Sequence, residues 1–510
     1  METDSGQAAG AAVPGGGQQW FGHPRGLSTL FFTEMWERFS YYGMRALLVL
    51  FMTAPLVGDN AGFGFADGKA TAIYGLYTFF VYVLSLPGGW VADNIWGQKK
   101  AIFVGGCIIA LGHFTIASPL VGLPLQPTFF LGLFFIVIGT GLLKPNVSSV
   151  VGALYPEGGA RRDAGFSIFY MGINIGAILG PTLCSLLGEK VDWHLGFSLA
   201  GFGMVLGLIQ YKLGERHLAN AGDLNTGETA DVVAAREKKF YMISAAFIAA
   251  TALFSYLMYS GAVGFTLQQI AGSLGVLVVV ITLGFFGYII FLGGHTELEK
   301  KRLWVILWLF LLAALFWSGF EQAGSSLTLF AERLTNRVVF GWEVPTGWLQ
   351  NINPIFIVIL APVFGSMWIR LARMKRNPSI PVKFGLGLLG LSAGFFVLSW
   401  GSANATAENP LSPSWLIVTY FLHTVGELCL SPVGLSSMTK LAPPSRVGQM
   451  MGIWFVAAAL GNLFAGLIAG QIEHLAPSAL FQTVALVVGG GGLFALMVAP
   501  PIRKLMHGID

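Results

Sequence analysis

The stretch that decides the fold reads Glu34-Met-Trp-Glu37-Arg38-Phe-Ser-Tyr41-Tyr42-Gly43-Met-Arg45, and it places four charged residues inside a segment long and apolar enough to be a membrane-spanning helix. At about 100° per residue, these charges and Tyr41 fall on one stripe of the helix. Each charge that faces lipid at the bilayer centre costs about 2.5–3.5 kcal/mol. The stripe is therefore predicted to face polar partners or a water-filled cavity. A soluble amphipathic helix with surface Glu–Arg pairs is the alternative.

Composition excludes the soluble alternative. Of the 510 residues, 55% are hydrophobic and 11% are charged, and the mean hydropathy is +0.69. Ordinary soluble domains carry about 25% charged residues. The chain is thus predicted to be an all-α integral membrane protein. Cys107, Cys184 and Cys429 lie in apolar segments without metal or redox spacing, and they predict no metal site.

Runs of about 18 or more mostly apolar residues predict fourteen membrane spans. Six lie near 27–54, 70–92, 101–120, 127–154, 164–188 and 194–212; two lie near 240–260 and 271–293; six more lie near 303–331, 348–372, 382–402, 413–440, 447–471 and 478–501. The predicted organisation is a disordered cytoplasmic tail (1–25), an N-terminal six-helix bundle (26–212), a cytoplasmic connector (213–239), two inserted helices with their loop (240–302), a C-terminal six-helix bundle (303–502) and a cytoplasmic tail (503–510).

The basic residues predict the orientation. Most of the 29 lysine and arginine residues fall in loops that share one side of the fourteen-span arrangement, whereas the opposite loops hold only Lys69, Lys190, Arg333 and Arg337. Cytoplasmic loops carry the excess of positive charge in membrane proteins. Both termini are therefore predicted to be cytoplasmic. The same bias favours two inserted spans over one, because a single span would invert the second half.

Two six-helix halves joined by a polar connector are typical of alternating-access transporters. The loop after the second span, Gly88-Gly-Trp-Val-Ala-Asp93-Asn94-Ile-Trp-Gly97-Gln-Lys99-Lys100, resembles the cytoplasmic motif of the major facilitator superfamily. Asn94 stands where that motif often has an arginine, which puts the salt bridge of that arginine in question. An ordinary polar turn is the alternative reading of this loop.

A more specific pattern lies in the first span. Glu-x-x-Glu-Arg-Phe-x-Tyr-Tyr-Gly, from Glu34 to Gly43, resembles the first helix of the proton-dependent oligopeptide transporter family. Five later stretches resemble the same family in order: Gly141-Leu-Leu-Lys144-Pro145-Asn146, Phe169-Tyr170-Met-Gly-Ile-Asn174-Ile-Gly176, Phe316-Trp317-Ser-Gly-Phe-Glu321-Gln322, Asn353-Pro354 and Gly426-Glu427-Leu-Cys-Leu-Ser431-Pro432. The resemblance implies a major facilitator fold, with the two inserted helices of bacterial members.

The intramembrane charges predict where a two-ended solute would bind. Four acids and three bases come from both halves: Glu34, Glu37, Arg38, Arg45, Lys144, Glu321 and Glu427. A purely structural set of buried ion pairs is the alternative. By resemblance to the family, Arg45 and Lys144 hold a peptide carboxylate, and Glu427 meets the amino end. The remaining predicted substrate-binding residues are Tyr41, Tyr42, Tyr77, Asn174, Trp317, Asn353, Ser431 and Trp454, with Tyr74 as an alternative to Tyr77.

Proton coupling is assigned to Glu34, Glu37, Arg38 and Glu321. The resemblance implies two gating salt bridges, Arg45 with Glu321 and Lys144 with Glu427. One charge crossing about 150 mV yields roughly 3.5 kcal/mol, which supports an approximately few-hundredfold concentration ratio. The sequence has no phosphate-binding loop, so no nucleotide is expected to drive transport. Protons are the expected coupling ion, with no other cofactor.

The predicted function is a proton-coupled symporter that imports di- and tripeptides by alternating access. A transporter of nitrate, another small anion or a peptide-like solute is the alternative within the family, and a membrane enzyme or a channel is the third hypothesis. The chain is predicted not to be an enzyme, to act as a monomer in the lipid bilayer and to bind no nucleic acid. The short loop near 403–412 predicts a bacterial inner membrane, because animal relatives carry a large domain there. His113 and His423 are predicted to serve helix packing.

Overall fold

A computed structural model of the chain describes residues 19–157 and 159–509. These residues form helices joined by short loops, with two antiparallel hairpins: β1 (Gln19–Trp20) with β2 (His23–Pro24), and β3 (Val338–Val339) with β4 (Trp342–Glu343). The helices are α1 (Gly26–Thr53), α2 (Asp67–Val83), α3 (Ser85–Val91), α4 (Gln98–Ala117), α5 (Leu125–Ala153), α6 (Gly159–Lys190), α7 (Trp193–Gly214), α8 (Ala230–Tyr259), α9 (Leu267–Leu292), α10 (Glu297–Phe320), α11 (Ser326–Leu334), α12 (Ile352–Arg373), α13 (Ile380–Ser402), α14 (Ser414–Leu441), α15 (Val447–Ala469), α16 (Pro477–Met497) and α17 (Ala499–Met506).

Each predicted span lies on helical residues, although some, such as 70–92 and 303–331, are divided between two α-helices. In the part of the chain that the structure describes, thirteen helical segments are long and apolar enough to cross a membrane. Helix α1 has 28 residues but carries Glu34, Glu37, Arg38 and Arg45, so it does not meet a criterion based on apolar composition. The all-α membrane fold is confirmed, whereas fourteen spans and cytoplasmic termini stay predictions.

The helices pack as two bundles. In the first half (residues 26–218), α1 packs against α6 and α7, and α4 packs against α5 and α7. In the second half (residues 297–506), α13 packs against α14 and α16, and α10 packs against α15. Each half has its own apolar core. The halves meet where α2 lies along α15 and where α6 meets α12.

The two inserted helices differ in burial. Helix α8 presents large exposed apolar side chains along its length, such as Ile243, Phe247 and Leu253, as expected for a lipid-facing helix. Helix α9 is partly buried. Its Phe286 and Ile289 pack in the core of the second half, while Ala271 packs between α2 and α15. One inserted helix therefore faces outward along its length, and the other packs against the bundle.

The structure revises two predicted boundaries. Residues 1–18 of the predicted tail lie outside the described residues, but residues 19–25 form the β1–β2 hairpin instead of a disordered segment, and the Trp20 ring packs on Phe31 with centroids 5.4 Å apart. The connector was predicted to run to residue 239, yet α8 begins at Ala230. Its first turns are polar because Arg236 and Glu237 contact the loop after α3, through Asn94 and Trp96.

Candidate functional site

At one end of the charged stripe on α1, the charged side chains pair with one another. The Arg38 Nε atom lies 2.7 Å from Glu34 Oε1 and 2.9 Å from Glu37 Oε2, and all three side chains are buried. One helical turn separates Glu34 from Arg38, which lets this ion pair form within the helix. Glu34 Oε2 and Glu37 Oε1 are buried without a hydrogen-bond partner in the described part of the chain. The cluster therefore keeps acceptor atoms available inside the first half.

The other end of the stripe joins the two halves. Arg45 donates from Nη2 to Glu321 Oε2 at 2.7 Å and from Nε to the Tyr74 hydroxyl at 2.6 Å. Glu321 starts a short 3-10 turn between α10 and α11, where the helix that carries Trp317 is interrupted. Arg45 and Glu321 are 8% and 5% exposed. The predicted Arg45–Glu321 salt bridge is thus present.

A cavity of about 260 Å³ lies between the halves beside this pair. Its lining comes from α1, α2 and α6 on one side and from α10, α12 and α14 on the other. The lining residues are Tyr42, Arg45, Tyr82, Tyr170, Ile173, Asn174, Ala177, Pro181, Trp317, Phe320, Glu321, Ala323, Gln350, Asn353, Pro354, Ile357, Tyr420, His423, Glu427 and Ser431. Aromatic and apolar surface with a few charged groups is typical of a binding site for a small molecule.

An acidic group lines the wall of the cavity contributed by the second half. Glu427 Oε2 accepts a hydrogen bond of 3.1 Å from Asn353 Nδ2, which also donates to Thr424 Oγ1 at 2.9 Å. Asn353 lies on α12, and Thr424 and Glu427 lie on adjacent turns of α14. The cavity therefore has a base, Arg45, on the first half and a carboxylate, Glu427, on the second.

Lys144 lies away from the predicted partner. In this structure its Nζ atom stands 3.7 Å from the centre of the Tyr82 ring, a cation–π geometry, and no ion pair with Glu427 is formed. Tyr82 itself lines the cavity. The predicted Lys144–Glu427 salt bridge is therefore not formed in this structure, and its role as a gate stays a prediction.

The predicted substrate residues divide into two groups. Tyr42, Arg45, Asn174, Trp317, Asn353, Glu427 and Ser431 line the cavity. Four do not: Lys144 lies over Tyr82, Trp454 packs against Phe384, and Tyr41 stacks on Tyr77 with ring centroids 6.5 Å apart. Tyr74, the alternative, binds Arg45 behind the cavity wall.

Sequence reasoning missed several lining residues. Tyr82 lies five residues after Tyr77 and turns toward the cavity, and Gln350 precedes the predicted Asn353 by three residues. Tyr170 also lines the cavity, although the sequence pattern around Asn174 does not mark it as a binding residue. His423 packs on the Phe395 ring with centroids 4.7 Å apart, as predicted, and it also lines the cavity. A helical period counted outward from Glu427 would have found His423 and Tyr420.

The halves are joined at one face of the molecule. We call the face bearing the loops 54–66, 335–345 and 403–413 the sealed face, and the face where α1 starts and α16 ends the terminal face. At the sealed face, Arg333 makes a bidentate contact with Asp67 at 2.7 and 2.8 Å, and Lys190 pairs with Glu343 at 3.0 Å. The Lys190 ammonium lowers the pKa of Glu343 by donating a hydrogen bond, so this ion pair persists at neutral pH.

The contacts described at the terminal face are of a different kind. The bonds that join Arg45 to Glu321, Asp67 to Arg333 and Lys190 to Glu343 lie at the level of Arg45 or nearer the sealed face. The terminal ends of α5 and α14 carry exposed polar residues, Ser149 and Ser436. An apolar approach of Leu86 to Gly452 brings α3 near α15.

These features match a known family along nearly the whole chain. A model of the POT family matches residues 99–484. A peptide transporter of Yersinia enterocolitica is 42% identical over 509 residues, covering 96% of this chain and 97% of that protein. The chain belongs to the POT family. A POT family di-/tripeptide transporter of Lactococcus lactis is 37% identical over 495 residues, covering 96% of this chain and 97% of that protein.

Solved structures of the POT family have the same fold. A peptide transporter POT in complex with sulfate superposes with a TM-score of 0.87 at 39% identity, covering 97% of this chain and 98% of that chain. A POT family transporter in complex with 5-aminolevulinic acid superposes with a TM-score of 0.86 at 34% identity, covering 96% and 99%. The chain therefore has the major facilitator fold and is a multi-pass protein of the bacterial inner membrane. Its relatives are transporters.

Proposed function

We propose that this chain is a proton-coupled symporter that imports di- and tripeptides by alternating access. The observation that carries the proposal is the cavity between the halves, which has Arg45 on one wall and Glu427 on the other and is closed toward the sealed face by the Arg45–Glu321 pair. A short peptide carries a carboxylate and an ammonium, and removing both from water requires opposite charges at matching positions. The names of the Yersinia and Lactococcus relatives support the same substrate class.

The charges in this arrangement suit proton coupling. The Arg45 guanidinium is shared between Glu321 and any carboxylate that enters the cavity. Binding of a peptide carboxylate to Arg45 frees Glu321 from its ion pair, and we assign the coupled proton to Glu321. Glu37 and Glu34 offer further proton acceptors around Arg38, since each has a buried oxygen without a hydrogen bond in the described structure. The scheme needs protons and no other cofactor.

The remaining residues are assigned from their positions. Tyr42, Trp317 and the apolar lining contact peptide side chains without strict selection, because aromatic faces tolerate many partners. Asn174 and Ser431 hydrogen-bond the peptide backbone. Lys144 pairs with Glu427 when the terminal face closes. We further propose that the monomer is the working unit.

Transport of nitrate or another small anion is not favoured. Glu427 places a carboxylate in the cavity, where it would repel an anion that has no positive end. A zwitterionic peptide satisfies both walls at once. The cavity thus distinguishes the two substrates by charge pattern.

The test is counterflow in proteoliposomes. Vesicles loaded with unlabelled dialanine are expected to take up radiolabelled dialanine by exchange, and empty vesicles are expected to concentrate it when an inside-alkaline pH gradient is imposed. Nitrate is expected neither to exchange nor to compete. Exchange without gradient-driven concentration would remove proton coupling from the proposal, and absence of dialanine exchange would remove the peptide substrate.

A further inference from the structure

A short helical segment of the second half is docked on the last two turns of α6. The segment Thr346–Asn351 is a 3-10 turn that runs directly into α12. Trp348 donates from Nε1 to the Thr182 carbonyl at 2.8 Å, and Asn351 donates from Nδ2 to Thr182 Oγ1 at 2.8 Å. Both bonds join the halves, because Thr182 lies on α6 in the first half.

Glu189 completes this docking from the end of α6. Its two carboxylate oxygens accept backbone hydrogen bonds from Thr346 N at 2.6 Å and Gly347 N at 2.9 Å. The first N–H groups of a helical segment have no partner within the segment. A carboxylate that accepts from two of them forms charge-assisted bonds, which are stronger than neutral ones. The first half thus supplies the cap for a helix of the second half.

The backbone approach at this point is very close. A side chain at Gly347 would collide with the Ser185 hydroxyl and contact Ala46, both in the first half. Only glycine allows the 346–351 segment to lie this near to α6. The contact is therefore built for a tight fit and does not arise from loose loop packing.

We propose that Glu189 is a positioning residue that latches the sealed face, separately from the Arg45–Glu321 pair in the centre. Alternating access, which belongs to the proposed function, requires the halves to separate at this face. Separation requires Glu189 to release both N–H groups at once, because they sit on one rigid turn. The latch therefore favours the state in which the sealed face is closed. It acts by holding the start of the 346–351 segment and makes no contact with substrate.

A carboxylate in the same loop region supplies a matched control. Asp192 Oδ1 accepts from His194 N at 2.8 Å and Leu195 N at 3.3 Å, and so caps the start of α7. Glu189 and Asp192 are three residues apart and both cap a helical start. Asp192 caps within its own half, whereas Glu189 caps across the halves. Only Glu189 is expected to affect how the halves separate.

The experiment measures the distance across the sealed face by electron spin resonance. Spin labels are placed at Asp59 and Glu408, exposed loop residues of the two halves, in the full-length protein in lipid nanodiscs. Glu189→Gln keeps one acceptor oxygen and turns an amide N–H₂ toward a backbone N–H. The long-distance population is expected to rise about tenfold, as for loss of one charge-assisted hydrogen bond. Asp192→Asn, which retains a good capping side chain, is expected to leave the distribution unchanged.

A second variant tests the same latch from the opposite side. Gly347→Ala places a methyl group against Ser185 and is expected to raise the long-distance population as Glu189→Gln does, with monodisperse gel filtration as the check on folding. An unchanged distribution in both variants, or an equal shift in Asp192→Asn, would overturn the latch. The distance measurement needs no substrate. Failure of dialanine counterflow would therefore contradict the proposed function but would leave the test of the latch unaffected.

Discussion

The sealed face and the terminal face of this transporter differ in how they hold the two halves together. Across the sealed face, charged and hydrogen-bonding residues from α2 and α6 meet residues from α11 and the segment before α12. Across the terminal face, Lys144 and Glu427, which have opposite charges, stay with partners of their own half, Tyr82 and Asn353. Ion pairs and hydrogen bonds therefore join the two bundles at the sealed face, whereas Lys144 and Glu427 at the terminal face do not pair with each other.

Under the proposed alternating access, we expect the two bundles to switch by exchanging the contacts of one face for those of the other. The sealed face gains its bonds from residues with no role in binding substrate, apart from Arg45 and Glu321. At the terminal face, the proposed closing pair is Lys144 and Glu427, which stand close to the cavity. Each set of contacts excludes the other if the halves rock about the cavity, because closing one face draws the opposite residues apart. Changes at either face are expected to move the balance between the two states.

The largest effect is expected at the inner boundary of the sealed face. Glu321→Gln removes the proposed proton acceptor and leaves the Arg45 guanidinium buried without a counter-charge, which costs about 3–5 kcal/mol when a buried pair is broken. We expect the inside-to-outside concentration ratio of dialanine to fall to about one. A driving force of about 150 mV could otherwise support a ratio of roughly a few hundred. Uptake into proteoliposomes with an imposed pH gradient measures this.

A nearby acid provides the control for that variant. Glu332 lies on α11 in the same half, and its ion-pair partner is the adjacent Arg333 at 3.5 Å. Glu332→Gln removes the same charge without touching Arg45 and is expected to preserve accumulation. Full accumulation by Glu321→Gln would show that proton coupling does not pass through this pair.

An intermediate effect is expected at the terminal face. A cation–π contact contributes about 0.5–2 kcal/mol, so Tyr82→Leu should release Lys144 toward Glu427 and shift the closed population of this face by roughly 2- to 30-fold. Tyr82→Phe keeps the ring and should preserve the distribution. Spin labels at Ser149 and Ser436 report the separation of α5 and α14. Equal behaviour of the Leu and Phe variants would mean that the ring does not hold Lys144.

The smallest effect is expected at the outer rim of the sealed face. Arg333 is 43% exposed in its pair with Asp67, and exposed ion pairs contribute about 0.2–1 kcal/mol. Asp67→Asn should therefore open the sealed face by no more than about fivefold, and 1 M salt should produce a similar opening in the unmodified protein because it screens the pair. The Asp59 and Glu408 labels measure both. If Asp67→Asn opens the sealed face more than Glu321→Gln does, as measured with the same labels, the Asp67–Arg333 pair controls the closure of this face.

The fold was largely predictable because its signals are local. Runs of apolar residues marked the helices, and the polar stretch before α8 marked the join between the halves. The errors came where tertiary contacts override local composition. Residues 19–25 look disordered as a polar, glycine-containing segment, yet Trp20 finds a buried partner in Phe31. The charged start of α8 looks like a loop, yet Arg236 and Glu237 pair with the first half.

The site was predictable in part. The stripe on α1 identified Arg38 and Arg45 because charges in an apolar helix require partners, and Glu321 was the natural counter-charge from the other half. The aromatic residues were harder, since a tyrosine that lines a cavity and one that packs in a core look alike in sequence. Tyr77 and Tyr82 lie on the same helix, and only Tyr82 reaches the cavity. Lys144 depends on the state of the terminal face, which sequence does not encode.

The two basic groups of α1 present different demands during synthesis. Arg38 is neutralised by Glu34 and Glu37, which enter the membrane on the same helix and within one turn of it. The carboxylate that pairs with Arg45 lies 276 residues later in the chain. Until α10 has been inserted, the Tyr74 hydroxyl is the partner that the first half offers it. We therefore expect Arg45 to gain its carboxylate partner only when the second bundle has been inserted.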